Sequence, residues 1–567
     1  MNGAQSLLKA LVDAGVSTCF ANPGTSEMQL VYEIGLSDRV RPVLCLQEDV
    51  VTGAADGYGR MLGAPAFTLL HVASGFANGM AMLHNAGRAD TPLINVVGVN
   101  ASYHQANFPE HELINGRAID LARPVSHWTQ EALSASHLGE LGAKAAALAK
   151  TGKVCTIVAP TDRHWEDANP PPLAPLPAER PGAAPETIER AAAMLASGKR
   201  TGLVLGNVAL QGEALETAAR VAAKTGAALF CETFPSRFLQ RGEGRPPVEP
   251  IPYLPELCLQ ALARFEQLIF VGAPFPFATF AYKGKPTLKT PPGCALIEMA
   301  STDEDLSAAL RALADATAAT EMAAPRQART EFAAPAGALT AAAIGESLAI
   351  LMPENAVLVD EAATNGMPLF AATKGARAHD YLSPVTGGAI GGGLPMALGA
   401  AIACPDRKVV CLQADGSGLY TVQALWSMAR ERTDVVVIVL KNDAYAILGI
   451  ELARVREGDA NAKMTSMLSL GGPALDWTQI ASGFGVPASR AETAEDFHRK
   501  LQAALAEKGP RLIECAVGIA KEARFLEEVI HGSRLQRRGV VAGRAQYRRA
   551  QIAKARSPQF NLRRSMD

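Results

Sequence analysis

The chain has 567 residues, 48% hydrophobic and 19% charged, with a formal net charge of −2. It is too long for one hydrophobic core and predicts two to four domains, and its charge balance argues against a general nucleic-acid binder. Nine cysteines are scattered, odd in number and never spaced CxxC, which fits reduced thiols rather than disulfides or a zinc site.

Residues 1–16 have the spacing of an amphipathic helix and lack a cationic region ahead of a long apolar stretch, so they read as a domain helix and not a signal peptide. No run nears the roughly 20 apolar residues that span a bilayer, and a cytoplasmic location without membrane partners is expected. Residues 1–168 read as a first α/β domain. A helix at 4–14 leads to a strand at 18–21 and the loop Asn22-Pro23-Gly24-Thr25-Ser26, then a helix from Glu27. A strand at 43–47 ends at Glu48. The helix at 49–61 follows, and its Gly53, Ala54 and Ala55 permit close packing. A strand at 66–70 ends at His71, and a loop at 73–78, closing on Asn78, precedes another helix. Strands at 93–98 and 154–159 complete the domain. Polar residues collect after strand ends, the edge where parallel sheets bind ligands.

Seven of the sixteen residues from 170 to 185 are proline, which predicts a stiff, extended linker. A second α/β domain is expected over 187–315, with helices at 188–195 and 213–224 and strands at 202–205, 228–230 and 268–271. The loop from Gly206 to Gly212 lacks GxGxxG spacing and carries little dinucleotide signal. A second linker covers 316–340.

The third domain, 341–520, holds the most informative stretch, 407–446. An apolar strand at 409–414 stops at Asp415-Gly416-Ser417-Gly418. A helix at 421–430 follows, then a β-branched strand at 435–440 that stops before Asn442. This is a βαβ crossover, so the two strands are parallel and place Asp415 and Asn442, 27 residues apart (442 − 415 = 27), side by side. A carboxylate and an amide oxygen suit a hard cation such as Mg2+ or Ca2+. Gly416 and Gly418 would let backbone approach a phosphate, and Ser417 can donate to one. The residues alone leave open an ordinary βαβ unit with Asp-Gly and Asn-Asp turns. For Glu48 they favour a helix cap.

Two segments decide the reading by resemblance. ADGS at 414–417 followed by Asn442 resembles the diphosphate motif of thiamine diphosphate (ThDP) enzymes, and LQEDVVTGAADGYGR at 46–60 resembles their pyrimidine-binding segment. The chain departs from the first motif at Ala414 and Lys441, neither of which is a metal-ligand position. The resemblance implies three doubly wound parallel-sheet α/β domains: pyrimidine-binding, central and diphosphate-binding. It implies Mg2+ held by the Asp415 and Asn442 side chains and the Ala444 carbonyl, with Tyr445 and Ala446 beside the cofactor. It makes Glu48 the acid/base on the pyrimidine, Ile390 in GGAIGGGLP (387–395) the apolar wedge under the bent cofactor with Gly388 beside it, and Thr364 and Asn365 diphosphate contacts.

Within the superfamily, NPGT at 22–25 and LHVASG at 70–75 resemble segments of benzoylformate decarboxylase, so Thr25 takes a substrate-binding hydroxyl position and His71 that of the active-site histidine. The segment GAPFPFATF (272–280) resembles the one carrying that family's second histidine, but the position falls near Thr279; Phe275, Phe277 and Phe280 are candidate pocket residues.

The implied function is ThDP- and Mg2+-dependent decarboxylation or carboligation of a 2-oxo acid, through a carbanion-enamine that is protonated to an aldehyde or ligated to a second carbonyl. The alternatives are acetolactate synthase-type acyl transfer or an FAD-dependent relative, and, from another class, a non-catalytic cofactor- or nucleic-acid-binding protein. No FAD signature is visible and FAD is not expected. A homodimer or homotetramer with active sites between chains is implied. The tail, 521–567, has twelve Lys/Arg against four Asp/Glu, a net +8 (12 − 4), leaving −10 elsewhere (−2 − 8). It reads as an arm on a neighbouring subunit or a loose terminus in preference to a nucleic-acid or membrane patch.

Overall fold

A computed structural model describes residues 1–455 and 460–518; the basic tail lies outside the described residues. Three sheets carry the chain. The first contains β1 (Thr18–Asn22), β2 (Arg41–Leu44), β3 (Ala66–His71), β4 (Leu93–Val99), β5 (Trp128–Glu131) and β6 (Val154–Pro160), in the order β2-β1-β3-β4-β6-β5. All its pairs are parallel. The second holds β7 (Thr201–Leu205), β8 (Ala228–Cys231), β10 (Glu249–Pro250), β11 (Gln267–Val271) and β12 (Ala295–Ala300), ordered β10-β8-β7-β11-β12 and parallel throughout. The third holds β9 (Phe238–Arg241), β13 (Ala356–Glu361), β14 (His379–Leu382), β15 (Val409–Ala414), β16 (Val435–Lys441), β17 (Ala488–Ala491) and β18 (Arg511–Ala516), ordered β17-β18-β16-β15-β13-β14-β9. Central strands such as β4 and β11 are buried along their whole length, as helices on both faces demand.

The sheets depart from the all-parallel expectation at one edge. Strand β9 pairs antiparallel with β14, from within the stretch expected to form the second domain. Arg241 at its end is buried, with its guanidinium 3.6 Å from the Phe370 ring centroid, so a cation–π contact holds the added strand in place.

Four helices matter for the site: α1 (Glu48–Leu62), α2 (Val72–Asn78), α3 (Met80–Arg88) and α4 (Gly393–Ala403). The expected close packing of α1 is present, against α4. A Cβ on Gly399 would fall 1.9 Å from the Ala54 carbonyl oxygen, and one on Gly53 would fall 2.8 Å from Pro395 Cγ. One apolar core runs from the first sheet through α1 and α4 into the third.

Three local expectations are corrected. The strand before Glu48 is Arg41–Leu44, not 43–47, and Glu48 is the first residue of α1. The stretch 73–78 is helical, because small residues let a turn form directly after His71. Asp415–Gly418 is a helical turn and not an open loop. Among the described residues no helix is long and apolar enough to cross a membrane.

Candidate active site

In the third sheet the strand order reverses between the parallel neighbours β13 and β15, and the loops after these strands open onto one cleft. Asp415 is 1% exposed and its carboxylate accepts from three backbone amides. Its Oδ1 accepts from its neighbour Gly416 N at 2.9 Å, and its Oδ2 accepts from Asn442 N at 3.0 Å and Asp443 N at 2.7 Å. Burial pushes its pKa up and the three amides pull it back. The Asn442 side-chain oxygen accepts from Ala444 N at 3.0 Å. The βαβ reading therefore places the two residues together. Of the expected residues, Thr364, Gly388, Ile390, Asp415, Gly416, Ser417, Asn442, Ala444, Tyr445 and Ala446 line the cleft.

Two features of this edge suit an anionic cofactor with a hard cation. Asn365 is 1% exposed, and both atoms of its side-chain amide lack a partner; orphaned amides are costly unless a ligand satisfies them. Asp415 Oδ1, with one amide contact, retains lone-pair capacity, beside the Asn442 amide oxygen. Among the described residues no cluster of three His, Cys, Asp or Glu could hold a metal, so any cation would rely on this mixed oxygen set.

Gly416 and Gly418 also have a packing role within the chain. A Cβ on Gly416 would fall 2.7 Å from Tyr445 Cε1, and one on Gly418 would fall 2.8 Å from Trp477 Cη2. These glycines make room for aromatic rings of the chain itself. Ser417 is tied inward as well, its hydroxyl accepting from Gln413 Nε2 at 2.8 Å.

The first sheet switches between β1 and β3, and the second cluster gathers there. Glu48 is 8% exposed. Gln47, not Glu48, caps α1, accepting from Val50 N. The Glu48 carboxylate is freed for two side-chain amides: Asn22 Nδ2 donates to Oε1 at 3.1 Å and Asn78 Nδ2 donates to Oε2 at 3.1 Å. Asn22 ends β1 and Asn78 ends α2, so two residues from separate element ends meet on the Glu48 carboxylate.

His71 meets a residue that the sequence did not single out. Its Nδ1 lies 2.9 Å from Oε2 of Glu27, which is fully buried and also accepts from Gly24 N at 2.7 Å. The bond to Glu27 raises the His71 pKa, and burial raises that of Glu27. Gly24 has no alternative here, since a Cβ would lie 2.4 Å from the His71 ring. His111, also not singled out, sits edge-on to His71 with ring centroids 5.2 Å apart. Thr25 is exposed in the short 3-10 turn Thr25–Glu27, next to Pro23-Gly24. Asn22, Pro23, Gly24, Thr25, Glu48, His71 and Asn78 are absent from the lining of the third-sheet cleft.

Backbone strain marks the same edges. Val72, Ala363 and Asp443, just after β3, β13 and β16, have φ of 41°, 51° and 54°. A β-branched residue such as Val72 is rarely found there, and such outliers concentrate at functional sites.

Comparison with known proteins decides the family. Residues 1–136 match the model for the N-terminal TPP binding domain of thiamine pyrophosphate enzymes, and residues 364–515 match that for their C-terminal TPP binding domain. A Mycobacterium tuberculosis protein, IlvX, whose name places it with acetolactate synthase large subunits, is 43% identical over 520 residues, covering 91% of this chain and 99% of its own. The chain belongs to the thiamine diphosphate-dependent enzymes. Benzoylformate decarboxylase of Pseudomonas aeruginosa is 29% identical over 530 residues, covering 88% of this chain and 96% of its own. The solved structure of a Rhodococcus jostii ThDP-dependent 4-hydroxybenzoylformate decarboxylase superposes with a TM-score of 0.80 at 26% identity, covering 92% of this chain and all of that one. This is a ThDP-dependent enzyme of the type that includes decarboxylases and carboligases.

Proposed function

We propose that the protein is a ThDP- and Mg2+-dependent decarboxylase or carboligase of a 2-oxo acid with an apolar side chain, acting in the cytoplasm as a homodimer or homotetramer. The observation that carries this is the pairing of Asp415 with Asn442 in the cleft at the switch point of the third sheet, with the orphaned amide of Asn365, in the turn after β13, in support. Asp415, Asn442 and the Ala444 carbonyl would hold Mg2+ on the cofactor diphosphate, with Thr364, Asn365, Gly416 and Ser417 around it and Tyr445 and Ala446 beside them. Bound ThDP supplies a carbon nucleophile and an electron sink for the electrons released when CO2 leaves a 2-oxo acid.

The other residues bind, orient and move protons. Glu48, fixed from two sides by Asn22 and Asn78, would hold the pyrimidine end of bound ThDP and supply the group that gives and takes its proton. Ile390 stands 38% exposed in the cleft wall with Gly388 alongside, and would be the apolar support for bound ThDP. Glu27 keeps His71 protonated to higher pH than an ordinary imidazole, which suits His71 to proton transfer at the substrate. His111 brings a second imidazole to that place, from the first sheet's side, where the sequence near Thr279 has none. Phe275, Phe277 and Phe280 line the cleft and favour an apolar or aromatic substrate side chain.

The N-terminal cluster and the cleft of the third sheet do not share a lining within one chain. This supports a site completed between two chains, Glu48 of one reaching the cofactor held by the other.

The test is CO2 release from pyruvate, 2-oxobutyrate, a branched-chain 2-oxo acid and benzoylformate, with ThDP and Mg2+. Release from the branched-chain or aromatic acids above pyruvate is expected. No release from any of the four, despite ThDP binding, would overturn the 2-oxo acid reading.

A further inference from the structure

Ile390 poses a physical problem. It is 38% exposed, so no core fixes it, and it sits in the run Gly387-Gly388-Ala389-Ile390-Gly391-Gly392-Gly393. Gly388 and Gly391 hold φ of 88° and 97°, in the left-handed region. Glycine-rich backbone is the most costly to order, and an isoleucine on a loose loop could not set the shape of a ligand.

The structure clamps this loop from both sides. On the far side Glu361, 4% exposed, accepts from Gly391 N at 2.6 Å and Gly393 N at 2.8 Å, and Thr421 donates its hydroxyl to the Gly391 carbonyl. On the near side the first α/β region supplies Asn85 on α3, 1% exposed, with His84 Nε2 beside it 3.1 Å from the Gly387 carbonyl. Asn85 Oδ1 accepts from Gly387 N at 3.1 Å and from Ala389 N at 3.2 Å, and its Nδ2 donates to the Ala389 carbonyl at 2.8 Å. Its own carbonyl accepts from the Thr386 hydroxyl at 2.8 Å. Arg60, at the far end of the helix that begins with Glu48, donates to the Ser383 carbonyl at 2.8 Å and to the Thr386 hydroxyl at 3.0 Å.

Among side chains only Asn and Gln carry both a carbonyl oxygen and an NH2 group on one planar amide, which here lets one oxygen accept from two loop amides while the nitrogen donates to a loop carbonyl. Aspartate would accept but not donate. Gly387 is glycine for the same reason, since a Cβ there would fall 2.7 Å from Asn85 Oδ1 and 2.6 Å from His84 Cδ2.

We infer that Asn85 is a positioning residue for Ile390: it rigidifies the loop that presents this side chain, and so sets the conformation of the bound cofactor without touching its diphosphate. The inference rests on the reading of Ile390 as the wedge. It gives the end of α3 a task apart from that of α2, whose Asn78 holds Glu48.

The test uses full-length Asn85→Ala, Asn85→Asp and Ile390→Ala. Three quantities are read: hydrogen exchange of the 385–393 amides in the cofactor-free protein, the Kd for ThDP with Mg2+ by calorimetry, and exchange of the bound cofactor's C2 proton with D2O. In Asn85→Ala the loop amides should exchange at least about tenfold faster. The Kd should stay within about threefold, while C2 exchange slows by about tenfold or more, as displacement of a positioning group does. Asn85→Asp, which keeps the acceptors and loses the donor, should fall between, and it decides the matter on the same readouts if Asn85→Ala does not fold. Ile390→Ala should slow C2 exchange with the neighbouring amides still protected. Slow C2 exchange in Ile390→Ala but wild-type exchange in both Asn85 variants would overturn the role of Asn85 alone. Wild-type exchange in Ile390→Ala would overturn the wedge reading and this inference with it.

Discussion

The two clusters are built in opposite ways. At the third sheet, Asp415 is satisfied by main-chain amides close in sequence or one strand away, and the side chain left wanting is Asn365. At the first sheet, Glu48 and His71 are held by other side chains, from residues 26, 30 and 44 positions distant. The backbone-built half is rigid by its secondary structure and suits holding a diphosphate. The side-chain-built half relies on hydrogen bonds whose protons can shift, and suits moving them. Variants should therefore lose binding when the first kind is cut and lose turnover or pH response when the second is.

The largest effect is expected at Asp415. Asp415→Ala strips three amides of their acceptor and removes the one carboxylate of the cation site. ThDP affinity in the presence of Mg2+, measured by calorimetry, should fall by more than about 100-fold, beyond the 10–100-fold typical of an outer-shell ligand partner.

Glu27→Gln should leave ThDP affinity unchanged and lower turnover by about tenfold or more, within the range general acid–base contributions allow. Its diagnostic is pH. The His71 and Glu27 pKa values are both raised, so the folded state holds more protons than the unfolded one. The stability conferred by protonated His71 is fully present below the ordinary histidine value of about 6.5 and is lost as pH rises through the raised one, while that conferred by protonated Glu27 is already being lost as pH rises above the ordinary glutamate value of about 4.3. The Tm difference between wild type and Glu27→Gln should therefore shrink as pH rises, and the limb of the rate profile that follows His71 deprotonation should move to lower pH.

Gly418→Ala probes the packing role of that glycine. The new methyl meets Trp477 Cη2 at 2.8 Å and Gln413 Cγ at 2.9 Å, and overpacking of this kind costs about 1–3 kcal/mol in thermal or denaturant unfolding. The smallest effect belongs to Thr25→Ala. With Thr25 exposed, stability should change by less than about 0.5 kcal/mol, and a rise in KM would mark the hydroxyl as a substrate contact.

How much of this was legible in the sequence follows the same division. Strands β15 and β16 were found to within a residue because unbroken β-branched runs and the Asp-Gly stop are local signals. The Asp415–Asn442 contact followed from crossover geometry alone. Glu27 escaped notice because it looks like the first residue of a surface helix. Only the register of β1 against β3, which puts Asn22 opposite Leu70, turns it onto His71. Strand β9 escaped because nothing in four residues says which sheet edge they will join, and Asn85 because its partners lie about 300 residues away.

The central claim, that each chain carries two half-sites completed by another chain, is tested most directly by complementation. Chains carrying Glu48→Gln keep the diphosphate half and chains carrying Asp415→Ala keep the proton half; each variant alone should be nearly inactive. Co-expressed, their mixed assemblies should recover up to about a quarter of wild-type CO2 release, since half of randomly paired dimers are mixed and one of the two sites in each is intact. A mixture no more active than its components, though mixed assemblies form, would contradict the claim and place Glu48 and Asp415 in a site within one chain.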